Sequence, residues 1–360
     1  MKKAFCAIIL LFSIAISLVS CNNGGTTPQN NPKYKNYSKE ISFTYFNTVS
    51  SISSYGKVDE KTFNSYVSIA DTLLGEYHKL FDIYYEYAGV SNLCTINKNA
   101  GKAPVDVDRE LIDFLKYCKE LYTLTGGKTN IMLGSVLRMW HDVREEALDN
   151  NGYLDPKLLP DADALRAASE HASIDSLIID EAAGTVYISD PAASIDVGAI
   201  AKGYAVDMLY ERLVKEGADS VALNIGGNIR TIGLKSDNEK WVIGLTNPDK
   251  SSDESLCCRV EIGASSMVTS GDYERYFYAG DKKYHHIIDP VTLMPAEYFS
   301  SITIITESSA LADALSTALF CMTYEEGLAL INAIGGVEVI WIDLGYNMRS
   351  TPGIKTMPIK

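Results

Sequence analysis

Asp196-Val197-Gly198-Ala199-Ile200-Ala201-Lys202-Gly203-Tyr204-Ala205-Val206-Asp207 is the stretch on which the reading of this chain turns. It stands where an extended segment gives way to a helix predicted over Ala201 to Lys215. Gly198, Ala199, Ala201 and Gly203 keep the junction free of bulk, so a backbone or a ligand can approach closely. Free amides at a helix start, with the macrodipole behind them, favour an anion there. Lys202 adds a point charge suited to a phosphate oxygen. The Gly-x-x-x-x-Gly-Lys-Ser/Thr pattern of a nucleotide P-loop is absent. Tight packing of the helix against a sheet is the other reading; it explains the small residues but not a lysine among them.

Three further segments bear on chemistry. In Leu311-Ala312-Asp313-Ala314-Leu315-Ser316-Thr317-Ala318-Leu319, Asp313 and Thr317 are one helical turn apart on one face. A carboxylate and a hydroxyl are hard oxygen ligands of the kind magnesium takes, the rest of its shell being water and phosphate. A structural reading competes: Asp313 complements the helix dipole and Thr317 bonds back to a carbonyl. Asn224-Ile225-Gly226-Gly227-Asn228 reads as a hairpin turn first and an amide-lined anion nest second. In Tyr284-His285-His286-Ile287-Ile288-Asp289-Pro290, His286 is a candidate general base with Asp289 as its orienting carboxylate. Against this stands a plain turn opened by Asp289-Pro290, with His286 covering the sheet.

Around these segments helices and strands mix without strict alternation. Helical spacing marks Asn64 to Phe81, Arg109 to Leu124, Ala162 to Ala168 and Ser309 to Met322. Strands are expected at Ile41 to Tyr55, Ser176 to Asp180, Thr185 to Ser189, Val221 to Asn224, Ile229 to Leu234, Trp241 to Leu245, Arg259 to Ile262, Ser300 to Thr306 and Val337 to Asp343. Gly280-Asp281 is expected to turn a hairpin between Glu274–Tyr278 and Tyr284–Ile288. The class is α+β, and with no repeat or second linker the region 41–360 reads as a single domain.

The N-terminus is a processing segment. Lys2 and Lys3 precede an apolar run from Ala4 to Val19 that is short for a membrane span, and Leu18-Val19-Ser20-Cys21 has the order of a lipobox. Residues 1–20 thus read as a lipoprotein signal peptide, Cys21 as the acylated residue, and 21–40 as a flexible tether rich in Asn, Gly, Thr and Pro. An ordinary secretion signal with a chance cysteine is the alternative.

The chain carries 46 acidic against 32 basic residues, and loss of Lys2 and Lys3 widens the excess. That excludes non-specific nucleic-acid binding, which needs positive charge at the phosphates. A polyanionic ligand must instead be held by local devices: a metal, a lysine, backbone amides. Of seven cysteines, Cys6 leaves with the signal and Cys21 is acylated; the other five are odd in number and lack CxxC spacing, against a zinc site or a disulfide framework.

In this order, the four segments resemble the ApbE family of flavin transferases. The resemblance covers roughly residues 42 to 345 and rests on Asp196–Asp207, Asn224–Asn228, Ser270–Phe277 with His286–Pro290, and Ala312–Leu319. Weaker echoes lie at Phe46-Asn47-Thr48, where the family often has Met-Gly-Thr, at Tyr87 to Asn97, and at Gly127 to Trp140. The resemblance implies an enzyme that uses FAD and Mg2+, transfers FMN to a threonine or serine of another protein, and releases AMP. The acceptors it implies are subunits of membrane redox complexes, reached from the outer side of a bacterial inner membrane or the periplasm. By position, it puts the metal on Asp313, Thr317 and the Ala199 carbonyl, and FAD on Lys202 and Asp196. Phe46, Tyr87, Lys128, Thr129, Asn130 and Ile287 would line the flavin or adenine pocket. Magnesium-dependent hydrolysis of FAD to FMN and AMP is the near alternative, and a flavin-binding lipoprotein without catalysis is the distant one.

Overall fold

The computed structural model describes residues 35–41 and 45–359. Cys21 and the signal peptide expected before it lie outside the described residues. The first strand, Asn36–Ile41, falls within the stretch read as tether, so the folded chain starts before residue 41. It pairs antiparallel with Ser50–Tyr55. The single strand expected over Ile41 to Tyr55 is therefore two, separated by a reversal in which Phe46 and Asn47 take left-handed conformations (φ 53° and 50°).

An eight-stranded sheet organises the molecule, in the order Asn36–Ile41, Ser50–Tyr55, Val221–Ile225, Asn228–Ile232, Ser266–Gly271, Phe299–Thr306, Glu338–Asp343, Met348–Ser350. Every neighbouring pair is antiparallel. Its central strands are covered on both faces, and period-two alternation sorts their side chains. Ile302 and Ile304 join a core with Ala312, Leu315 and Leu319. Ile229, Met267 and Ile305 meet Trp241, Ile243 and Val260 of a smaller sheet on the other side. Two helices carry the residues singled out for chemistry. The lysine helix, Ala201–Lys215, and the aspartate helix, Ser309–Phe320, pack against each other and on the same face of this sheet.

A second body of side chains builds around the helix Arg109–Leu124, whose buried face continues into Ile195, Val197, Ile200 and Ala314. A third joins the helix Gly134–Asp149 to the hairpin Tyr276–Ala279 and Lys282–His285 through Trp140, Phe277 and Tyr284. The α+β class and the single folded region hold, with helices and antiparallel strands mixed throughout. The five cysteines among the described residues are all free. Among the described residues no helix is long and apolar enough to cross a membrane.

Candidate active site

The lysine helix and the aspartate helix meet at their N-terminal halves, and three contacts fix them there. Asp207 accepts hydrogen bonds from the Ser308 hydroxyl (2.7 Å) and the amides of Ser309 (2.8 Å) and Ala310 (2.9 Å). It thereby satisfies donors that a helix start leaves open. Burial pushes its carboxyl above the usual range, while the Ala310, Ser309 and Ser308 bonds and nearby Arg230 pull it back. At Gly203 the backbones come so close that an added Cβ would lie 2.3 Å from the Ser309 carbonyl oxygen. Gly203 therefore serves helix–helix packing, and the lysine beside it does something else.

Lys202 turns to Asp313. Its Nζ lies 3.3 Å from each carboxylate oxygen, and the Gly203 amide donates to Oδ2 at 3.0 Å. Asp313 is only 4% exposed, so a carboxylate taken out of water is balanced by one ammonium and one amide. The Gly203 amide is diverted from the helical bond it would otherwise make to Ala199, and among the described residues the Ala199 carbonyl has no hydrogen-bond partner. The Thr317 hydroxyl likewise has none among the described residues; it is Ser316 that bonds back to the Asp313 carbonyl, at 2.8 Å. Carboxylate, free carbonyl and free hydroxyl are all oxygen donors, the set that suits magnesium. The three residues assigned to the metal thus retain the valences to hold one.

Asp196 has its amide on the Ile131 carbonyl (2.8 Å) and its carboxylate on the Gly198 amide (2.9 Å). Burial raises its pKa, opposed by the Gly198 bond and by His141, Arg144 and Arg275. His286 shares this surrounding. Burial holds its imidazole well below the usual histidine range, reinforced by Arg275, His285, Arg144 and Lys202. Its Nδ1 is buried and unpartnered among the described residues.

Asp289 does not orient His286, contrary to expectation. Its carboxylate accepts from Lys128 Nζ (3.0 Å) and the Val291 amide (2.9 Å), closing the turn over Pro290. At 3% exposed it needs a counter-charge, and Lys128 provides it. Lys128 is correspondingly committed to that pair. Thr129 is 2% exposed and donates to the Ala314 carbonyl (2.8 Å), tying its segment to the aspartate helix. Asn130 spends both ends of its amide on Ala172 and Met132. Ile287 is a core residue packed with Ala312 and Leu315. All three side chains thus also make contacts that hold the fold together around the site.

Phe46 and Tyr87 are brought together through a residue the sequence did not single out. The ring of His78 sits 5.8 Å from Phe46 and 6.4 Å from Tyr87, both edge-on. Tyr87 donates to Asp82 at 2.7 Å, and burial with that carboxylate beside it pushes the phenol up to about 12. The paired glycines of Asn224–Asn228 are a hairpin turn: both have positive φ, and their amides are already taken by Val49 and Asn224. That motif is no anion nest. Arg275, Arg144 and His141 are charged neighbours that spacing could not find, because only the fold brings all three within the electrostatic reach of Asp196 and the two arginines within that of His286.

The comparison with known proteins agrees with this geometry. The profile described as ApbE family matches residues 46–341, a span running from Phe46 to the strand after the aspartate helix. An FAD:protein FMN transferase of Treponema pallidum is 34% identical over 278 residues, covering 73% of this chain and 74% of its own length. One from Klebsiella pneumoniae is 30% identical, covering 70% and 75%. The crystal structure of the ApbE protein of Thermotoga maritima superposes with a TM-score of 0.75 at 25% identity, over 88% of this chain and 97% of its own. The flavin transferase ApbE of Vibrio cholerae gives 0.71 at 25% identity, with the same coverage. With the family profile spanning both helices that bring Lys202 to Asp313, the chain belongs to the ApbE family.

Proposed function

We propose that this chain is an FAD:protein FMN transferase that uses magnesium, works on a threonine or serine hydroxyl of an acceptor protein, and is anchored to an envelope membrane through Cys21. One observation carries the chemistry: a buried carboxylate, Asp313, shares its oxygens with Lys202 and the Gly203 amide, beside a backbone carbonyl and a hydroxyl that have no other partner among the described residues. Asp313, Thr317 and the Ala199 carbonyl would hold magnesium, which when bound neutralises charge on the diphosphate. Lys202 meets phosphate oxygens from the same place.

In the transfer step the acceptor oxygen forms a bond to the phosphorus on the flavin side. The bond from that phosphorus to the bridging oxygen breaks, and AMP leaves with the bridging oxygen. The hydroxyl proton goes to His286, whose imidazole is neutral because burial and three cationic neighbours disfavour its charged form. Phosphoryl transfer asks the protein mainly for position and charge, and the two locked helices supply both.

The test is incubation with FAD, magnesium chloride and a candidate redox-complex subunit, followed by intact mass. The acceptor gains one FMN, Asp313→Ala abolishes the gain, and EDTA does the same to the wild type. Free FMN and AMP with no mass gain on any acceptor would replace this reading with FAD hydrolysis. Full transfer by Asp313→Ala in EDTA would remove the magnesium centre.

A further inference from the structure

Two guanidinium groups next to His286 have no part in the transfer step as written. The hairpin register pairs Tyr276 with His285, so Arg275 and His286 are the next pair along, and the His286 amide donates to the Arg275 carbonyl at 3.0 Å. Both residues lie in bends just past the end of the ladder. Two residues into the hairpin, Phe277 and Tyr284 stack at 5.5 Å, and Trp140 stacks on Tyr284 at 5.9 Å. Arg144 lies one helical turn beyond Trp140, on the helix that packs against this hairpin. Its Nη2 is held by His141 Nδ1 (2.8 Å) and Glu145 (3.3 Å). Tyr84 closes the group with its ring 5.3 Å from that of His141.

Arg275 makes no side-chain hydrogen bond or ion pair among the described residues. Arg275 is exposed at the surface, and Arg144 is the neighbour whose charge most disfavours the Arg275 guanidinium. Asp196 is the carboxylate on the same side, and both arginines act on it. A chain with 46 acidic residues thus gathers two guanidinium groups and Lys202 around one histidine. Like charges brought together are unfavourable unless an anion joins them.

We propose that Arg144 and Arg275 form the seat of the leaving phosphate, binding the 5′-phosphate of the departing adenylate. This rests on the transferase reading. When the diphosphate splits, the phosphate that leaves gains negative charge as its bond to the flavin-side phosphorus breaks. The planar forks of two arginines match its oxygens, and Arg is the side chain suited to that recognition. Lys202 and Asp313 are needed for the other phosphate, so the two halves of the diphosphate have separate holders.

The experiment titrates AMP, adenosine and FMN separately into the full chain and into Arg275→Gln and Arg144→Gln, with magnesium present. AMP is expected to bind more tightly than adenosine to the wild type. Each glutamine variant loses about tenfold or more of its AMP affinity, the usual consequence of removing a charge-assisted phosphate contact, and keeps its FMN affinity. Arg275→Lys recovers part of the loss, because the charge remains and the fork does not. Retained FMN binding shows that the variants fold. Unchanged AMP affinity in both glutamine variants overturns the proposal. So does a loss confined to KM for the acceptor protein, which would assign the arginines to an acidic side chain of the acceptor. AMP binding is read without any transfer, so failure of the transferase reading leaves this result interpretable.

Discussion

Replacing Gly203 by alanine tests whether the contact between the two helices builds the site. The added methyl carbon would lie 2.3 Å from the Ser309 carbonyl oxygen, 2.7 Å from its carbon and 2.8 Å from the Ala310 Cα. All three are backbone atoms, so no side-chain rotation relieves them. Restoring ordinary contact distances requires the helices to part by roughly 1 Å. Overpacking of this kind costs about 1–3 kcal/mol. Exchange of glycine for alanine within a helix returns about 1 kcal/mol. Weakening of the Gly203–Asp313 bond, a bond to a charged acceptor, removes a further ~1.5–3 kcal/mol at most. The net expectation is a loss of about 2 kcal/mol, and at most about 5 kcal/mol, in urea unfolding. The effect on activity is larger in proportion. Asp313 sits one turn beyond Ser309, so it moves with the aspartate helix away from Lys202 and Gly203. A misplacement of about 1 Å typically lowers the rate on the order of a hundredfold. The assay is FMN transfer at saturating FAD and magnesium, with Gly263→Ala as control, because a methyl there meets nothing within 4 Å. If Gly203→Ala matches that control in both stability and rate, the close approach does not position Asp313, and the account of the site fails.

Asp207→Ala strips three hydrogen bonds from the start of the aspartate helix; relief of a buried carboxylate offsets part of the loss, leaving about 2–4 kcal/mol of destabilisation by urea unfolding. A loss under ~0.5 kcal/mol would show that Ser308 caps the helix unaided. His286 has its pKa lowered below 6.5, so the neutral form persists as pH falls, and the acid limb of kcat/KM should lie below 6.5. Arg275→Gln removes one positive neighbour, raises that pKa and moves the limb to higher pH; an unmoved limb would mean that another group titrates. Finally, a clickable palmitate should label the wild type and not Cys21→Ala, and equal labelling would rule out acylation at that cysteine.

The regular parts of the fold are legible where a period is long and unbroken. The helices Ala201–Lys215 and Arg109–Leu124 have the bounds that spacing predicts, and Gly280-Asp281 turns the expected hairpin. The helix Gly134–Asp149 escapes such a reading, although Val136, Trp140, Val143 and Ala147 recur at helical spacing, because Arg138, Asp142, Arg144, Glu145 and Glu146 crowd between them. Tyr324–Ile334, also unexpected, carries a capping box at Thr323 and Glu326 that could have marked it. Within the site, residue types point to Asp313 and Lys202, but nothing in a separation of 111 residues says that they touch. The pairing of Asp289 with His286 fails for a related reason. Three residues apart at a strand end, the two look like partners, yet Asp289 is buried and finds its counter-charge on Lys128, 161 residues away.

What tertiary structure adds is an electrostatic arrangement that serves two purposes at once. A base that accepts a proton during phosphoryl transfer must be neutral beforehand, and a diphosphate that breaks must find positive charge on both sides. On the proposed mechanism, Lys202, Arg144 and Arg275 around His286 would meet both requirements with the same three side chains. Their field and the burial of the ring suppress the imidazolium, and in the proposal their donors would meet the phosphates. Asp196 partly balances the cluster, since its carboxylate lies within the field of Arg144 and Arg275 while burial raises its pKa. Neutralising one arginine therefore has two separable effects: a weaker hold on phosphate and a more basic His286. A residue that only supported the hairpin would change neither the AMP affinity nor the acid limb. Movement of both together in Arg275→Gln, with FMN binding intact, is what this shared field requires.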